Sequence, residues 1–271
     1  MALWSLFGLT RGKATTEWPS KAGDGQAGLL GMPRYNVDLC DNRCSVCAEA
    51  CPTSAITVAP PAAGATKPLL EIDYGRCIVC QLCVEACPTG ALEYSQDWAF
   101  GAADRADLKL ASAPLETANR QEAVATPATP FRRSLHVRHV DAGSCNGCES
   151  ELQALNNPFY NLHRLGIFFT PSPRFADVLL VTGPVTYAMH EPLQQTYAAM
   201  PDPKWVLAMG TCAVSGGIVE GGYACGSGLE GVLPVDIYLP GCPPNPAAII
   251  EALLLLLDRA PQRVKEGRLG E

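Results

Sequence analysis

The chain has no stretch apolar enough to cross a bilayer. Its longest apolar run, Ala247 to Leu257, is interrupted by Glu251 and falls short of the roughly 20 residues a spanning helix needs. No basic segment, apolar core and cleavage site open the sequence, so a secreted, disulfide-stapled scaffold is not expected. Phosphate-cradling motifs are missing as well. The Gly-rich stretch 210–231 holds neither GxxxxGK[ST] nor a GxGxxG that follows a strand and opens a helix. Histidine is scarce: His136, His139, His163 and His190 show no metal-ligand spacing, and no nucleophile–base constellation is visible. A net charge of −7 lacks the basic excess that a nucleic-acid partner demands. Cysteine, by contrast, is abundant. There are thirteen in 271 residues, an odd number in clusters too tight for loop-closing disulfides. Reduced cytoplasmic thiols acting as metal ligands are the expected use.

Composition divides the chain into segments. Residues 1–34 read as an arm, in which Leu3, Trp4, Phe7 and Leu9 form a candidate amphipathic helix for docking on a membrane surface or membrane subunit. Residues 35–98 contain an internal repeat, CDNRCSVCAEACPTSAITV and CIVCQLCVEACPTGALEY, joined by the loop PPAAGATKP. Residues 99–131, rich in Ala, Thr and Pro, read as a linker. Residues 132–259 alternate strand and helix, with LHVRHVD, ADVLLVTG, KWVLAMG and VDIYLP as strands that look buried on both faces. Helices are expected near Cys148, over His190 to Met200 with Pro192 in the first turn, and after Asn245 as N-cap with Pro246 at N1. This alternation implies a parallel sheet. Residues 260–271 read as a tail.

The repeat carries the most specific chemistry. An iron–sulfur cube needs four thiolates at its corners. C-x2-C-x2-C wraps three of them, and in two-cluster proteins the fourth Cys, before Pro, serves the other cluster. The second half, Cys77, Cys80, Cys83 and Cys87-Pro88, fits in full. In the first half, Cys40, Cys44, Cys47 and Cys51-Pro52, the first gap is one residue longer. Cys40 reaches a corner if that loop bulges; otherwise the site holds a three-iron [3Fe-4S] cluster or uses another ligand such as Asp41. The swapped rule groups Cys40, Cys44, Cys47 and Cys87 in one set and Cys77, Cys80, Cys83 and Cys51 in the other. Zinc ribbons instead use two separated CxxC knuckles. The repeat resembles the two-cluster ferredoxin subunits of respiratory complex I, formate hydrogenlyase and membrane-bound hydrogenases. The preceding RGKATTEWP is similar to the arm found there.

A third group of cysteines follows three of the strand runs, in DAGSCNGCE, MGTCAVSGG and YLPGCPPNP. In open parallel sheets, ligands bind at the carboxyl ends of strands. Loops far apart in sequence therefore meet there, and Gly143, Gly147, Gly210, Gly216, Gly217 and Gly241 let their backbones approach a bulky cluster. Over about residues 135–258 these loops resemble the small subunit of [NiFe] hydrogenases and its homologue, the 20 kDa-type subunit of complex I. VDIYLPGCPP is the most specific part. The resemblance implies that Cys145, Cys148, Cys212 and Cys242 hold a [4Fe-4S] cluster next to the catalytic partner. The complex I subunit has adjacent cysteines at the first position; Cys145-Asn146-Gly147-Cys148 has the hydrogenase-like spacing.

The expectation is an α+β two-cluster ferredoxin domain followed by an α/β flavodoxin-like domain with a parallel sheet, naturally fused. It would carry three [4Fe-4S] clusters in an oxidoreductase complex, peripheral on the inner face of the cell membrane. The implied partners are a hydrogenase large subunit (49 kDa-like in complex I), membrane-arm subunits and an external electron donor or acceptor protein. Nickel ligation in the family needs CxxC pairs at both ends of the large subunit, and no spare pairs exist here, so no catalytic centre is expected on this chain. One alternative is the equivalent subunit of a complex I-like NADH/ferredoxin:quinone oxidoreductase. Another is a stand-alone ferredoxin-like carrier or interaction module. Glu149, at the expected helix start, either complements the helix dipole or serves as a proton-relay acid. Cys225 matches no ligand position and reads as a small loop residue, with a redox or alternative-ligand role as the other reading.

Overall fold

The computed structural model describes residues 8, 10, 29–40, 44–59, 69–111 and 127–270. The candidate amphipathic helix, the PPAAGATKP loop, Asp41 and residues 112–126 lie outside the described residues.

The ferredoxin part shows the sequence repeat as a structural repeat. A short strand β1 (Arg34–Tyr35) leads into a 3-10 turn at Val37–Leu39, capped by the Asn36 side chain, and then Cys40. Helix α1 (Val46–Glu49) follows, and then strand β2 (Ile56–Ala59). The second half repeats this order. Strand β3 (Leu69–Asp73) leads into a 3-10 turn at Tyr74–Arg76, capped by Asp73 Oδ1, and then Cys77, helix α2 (Leu82–Ala86) and strand β4 (Leu92–Glu93). β1 and β4 pair antiparallel, so each half contributes to a ribbon with the other. Asp73 also takes a two-pronged contact from Arg105 at 2.6 and 2.7 Å, which packs the guanidinium over Gly75.

Residues 99–111, expected within a linker, are built into the fold. Strand β5 (Lys109–Ala111) joins β2 and β3 in an antiparallel sheet of order β2-β3-β5. Ala102, fully buried, exchanges two backbone hydrogen bonds with Tyr238. Residues 127–131 are likewise docked, with the Ala128 N–H on the Leu256 carbonyl at 2.9 Å. An Ala-, Thr- and Pro-rich composition describes a weak local preference, and backbone pairing overrides it here.

Strands β6 (Leu135–Asp141), β7 (Ile167–Phe169), β8 (Val178–Thr182), β9 (Trp205–Met209) and β10 (Ile237–Leu239) form one parallel sheet in the order β10-β9-β8-β6-β7. The parallel sheet expected from the alternation is present. β7 was not among the expected strands: three residues at a sheet edge leave too short a pattern to read. Helices α3 (Gly147–Ala154), α4 (Tyr187–Ala198) and α5 (Thr211–Ser215) lie in the β6–β7, β8–β9 and β9–β10 connections, and α6 (Pro246–Leu256) follows β10. α4 starts earlier than expected, so Pro192 stands inside the helix and not in its first turn. Asn245 Oδ1 accepts the Ala248 N–H at 2.9 Å and Pro246 is at N1, as expected.

Alternate residues of β8 face opposite sides of the sheet, as strand pleating requires. Val178 and Leu180 pack with α6, whereas Leu179 and Val181 belong to a cluster that continues through Val206 and Val214 into Ile72, Tyr74 and Phe100 of the ferredoxin part. The two parts thus share one apolar core. Residues 260–270, expected as a tail, close over the junction. Strands β11 (Val264–Lys265) and β12 (Arg268–Leu269) form a hairpin whose Gly267 N–H reaches the Asp107 carbonyl at 2.8 Å. Gln262 takes the Ala103 N–H at 2.9 Å and donates to Asp107 Oδ2 at 2.7 Å.

Glu251 is the one polar residue on the buried face of α6. Burial raises its carboxyl to about 7, against the partial relief of Arg263 at 3.9 Å. Its Oε2 meets no hydrogen-bond partner among the described residues. The folded state therefore binds a proton that the unfolded chain gives up near its ordinary value, and stability falls as pH rises from about 4.5 towards about 7. Glu251→Gln should remove that slope and raise stability at pH 8 by on the order of 2 kcal/mol. Urea midpoints of both forms at pH 5 and pH 8 check this; parallel pH profiles would refute it.

Candidate metal centres

Two cavities in the ferredoxin part gather the thiols. One is lined by Cys40, Cys44, Cys47 and Cys87 together with Tyr35, Leu70 and Leu92. The other is lined by Cys51, Cys77, Cys80 and Cys83 with Pro33, Ile56 and Ile72. Each takes three cysteines from one half of the repeat and the fourth from the other. Cys40 stands in its cavity despite the longer gap. The fourth cysteine arrives by a repeated device: Cys51 and Cys87 each sit 3.7 Å from the hydroxyl of the Thr two residues on, Thr53 and Thr89.

Backbone donors face these sulfurs. The Ala55 N–H reaches Cys51 Sγ at 3.2 Å and the Val79 N–H reaches Cys77 Sγ at 3.4 Å. Val79 and Gln81 take positive φ angles to aim the loop, and Gln81 anchors it by donating to the Gly31 carbonyl at 2.7 Å. Burial and then the neighbouring thiols push Cys83 up to about 11. Burial also raises Cys77 to about 12 and Cys47 to about 11; the nearby N–H groups offset this only in part. Cys87 goes the other way. Burial alone would raise it, but the N–H groups of Leu92, Thr89 and Ala91 with the Thr89 hydroxyl hold it below its ordinary value. Burial, and after it the Cys40 thiol, raise the Tyr35 hydroxyl.

At the carboxyl edge of the parallel sheet, Cys145 and Cys148 follow β6, Cys212 follows β9 and Cys242 follows β10. Cys148 is raised by burial, then by Glu149, Cys212, Cys242 and Cys145, so the four thiols share one locality. Cys212 is pushed up to about 11 by burial and then by Cys242 and Cys145. Gly210 shows why glycine is needed: its φ is +88°, and a Cβ there would lie 2.7 Å from Cys148 Sγ. Among the described residues no three His, Cys, Asp or Glu side chains meet closely enough for a single metal ion. Corners of a cube stand farther apart than ligands of one ion, and a thiol-lined cradle with N–H donors suits such a cluster.

Glu149, in the first turn of α3, accepts the Ser144 hydroxyl at 2.7 Å and the Thr182 hydroxyl, and lies 3.4 Å from His139 Nε2. Cys225 is buried, and its S–H donates to the Val219 carbonyl at 3.2 Å. Three residues escaped the sequence reading. Thr53 and Thr89 had a signal in the repeated Cys-Pro-Thr. Thr211, fully buried between the two parts, had none.

A family model for the NADH ubiquinone oxidoreductase 20 kDa subunit matches residues 145–256, and one for a 4Fe-4S dicluster domain matches residues 39–91. An uncharacterized protein of Methanocaldococcus jannaschii is 48% identical over 129 residues, 48% of this chain and 86% of its own length. The probable membrane-bound hydrogenase subunit mbhJ of Pyrococcus furiosus is 42% identical, over 49% of this chain and 80% of its own. The chain belongs to the 20 kDa-subunit family, with a dicluster domain ahead of it. Formate hydrogenlyase subunit 7 of Escherichia coli is 43% identical over 141 residues; the match spans 52% of this chain and about half, 55%, of that protein. A solved chain of the membrane-bound sulfane sulfur reductase, an archaeal respiratory membrane complex, is 37% identical over 48% of this chain and 71% of its own, with a TM-score of 0.43.

Gly210→Ala should cost roughly 1–3 kcal/mol in backbone strain and displace Cys148. The expected outcome is a purified variant that binds less iron per chain than the wild type. Unchanged total iron in this variant would contradict the close approach of backbone to thiol.

Proposed function

We propose that this chain is the iron–sulfur electron-transfer subunit of a membrane-associated, complex I-like [NiFe] hydrogenase. The observation that carries the reading is the gathering of twelve thiols in three groups of four, two in the ferredoxin part and one at the sheet edge. In this reading Cys40, Cys44, Cys47 and Cys87 hold one [4Fe-4S] cluster, and Cys77, Cys80, Cys83 and Cys51 a second. Cys145, Cys148, Cys212 and Cys242 hold the third. Four thiols in the first cavity favour a four-iron over a three-iron cluster there. Bound clusters would supply one-electron storage; the chain supplies position and N–H donors. The sheet order, with a reversal between β6 and β8, supports a flavodoxin-like second domain.

Two relatives that carry hydrogenase or hydrogenlyase in their names, together with the Cys145–Cys148 spacing, favour a partner large subunit with a nickel–iron site. The partners are then that large subunit, membrane-arm subunits and an external electron carrier protein. The chain sits on the inner face of the cell membrane through them, since no described helix is long and apolar enough to cross it. The catalytic centre is assigned to the partner. Glu149 ties the Cys145–Cys148 loop to the end of β8 through Thr182. A proton-relay role for it would show as an altered pH profile of turnover in Glu149→Gln.

A second reading, the equivalent subunit of a quinone-reducing complex, draws on the family match to the NADH ubiquinone oxidoreductase subunit. Purification of the native complex separates them. Nickel in a co-purifying large subunit, with hydrogen production, is the expected result. Quinone reduction by a nickel-free complex would establish the second reading instead, and an iron-loaded chain with no partners would leave only a carrier. Cys148→Ala and Cys242→Ala should each remove the sheet-edge cluster signal while both ferredoxin signals persist.

A further inference from the structure

We propose that Thr211 is the positioning residue that joins the Cys77 thiol set to the Cys212 thiol set and carries the electronic coupling between them. The proposal rests on the three-cluster reading given above.

Thr211 is fully buried at the start of α5, where that helix packs against the Tyr74–Arg76 turn. Its hydroxyl donates to the carbonyl of Cys77 at 2.8 Å. The same oxygen accepts the N–H of Gly241 at 3.1 Å, and the Thr211 N–H donates to the Gly241 carbonyl at 2.9 Å. One oxygen atom therefore touches the backbone of a thiol in the ferredoxin part and the residue before Cys242, while the chain continues directly to Cys212. From Cys77 Sγ to Cys212 Sγ the route follows covalent bonds and a single hydrogen bond, with no gap through space. The hydroxyl's donor and acceptor capacities are both used, so it has one orientation. An ion pair of Arg76 with Glu220 closes the exposed edge of the same junction.

An electron leaving the Cys77 set for the Cys212 set crosses this contact, with no bond made or broken and no proton moved. Valine matches threonine in shape and lacks the oxygen. It would leave the Cys77 carbonyl and the Gly241 N–H buried without this partner, which lets the two backbones drift apart.

The test uses the full-length chain, anaerobically reconstituted with iron and sulfide. Flash photoreduction with freeze-quench EPR follows redistribution of one electron between the two sets, and redox titration gives their midpoints. Thr211→Val should keep the iron content and all three cluster signals, slow the redistribution by about tenfold and weaken the magnetic interaction between the two sets. Thr211→Ser, which restores the hydroxyl, should return both to near wild type. A Thr211→Val chain with full iron, wild-type redistribution and unchanged magnetic interaction overturns the proposal. If Thr211→Val fails to load iron, Thr211→Ala is measured instead: at least threefold slower transfer supports the role, and a wild-type rate overturns it. Failure of the wild-type chain to show three cluster signals would sink the underlying reading and not this contact alone.

Discussion

A thiol crowded among other thiols in an apolar cavity resists ionisation, because its charge is neither hydrated nor paired. Cys77 is pushed up to about 12 on this account, and Cys47, Cys83 and Cys212 to about 11. Much of the local backbone serves to offset this. Capped 3-10 turns place Cys40 and Cys77, left-handed residues aim the loops, and N–H groups and threonine hydroxyls face the sulfurs. Cys87 shows how far such donors go, since together they outweigh its burial. An iron–sulfur cluster bound by four thiolates would complete the balance that the protein begins.

The second constraint is mechanical. A relay needs its stations at fixed separations, and two domains joined by a loose linker would not hold them. Here the junction is built from backbone. Ala102 pairs with Tyr238 at the free edge of the parallel sheet, Gln262 and the β11–β12 hairpin hold Ala103 and Asp107, and Thr211 binds the Cys77 carbonyl. A continuous apolar cluster from β8 to Phe100 lies beneath. Backbone pairing and shared burial resist relative motion in a way that exposed ion pairs do not.

Much of the candidate site was legible in the chain. Thiol spacing within each short loop is a local property, and so is the Cys-Pro-Thr that ends each half. The apolar runs of β6, β8, β9 and β10 named the sheet because strands buried on both faces need unbroken apolar sequence. β7 was missed because three edge residues show no period. The docking of residues 99–111 and 260–270 was missed for a different reason. Their buried apolar residues, Phe100, Leu108, Leu110 and Val264, are spaced with no strand or helix period, and the backbone and Gln262 side-chain bonds that order them are to partners distant in sequence.

The sequence by itself therefore determined which atoms could bind metal and how they fall into groups, since both follow from residue type and short spacing. Only the tertiary structure decided that Cys40 stands in its cavity and that Thr211 stands between Cys77 and Cys212. These are contacts between residues distant along the chain. They are set by strand pairing and by the closing of one apolar core, and no local pattern records them.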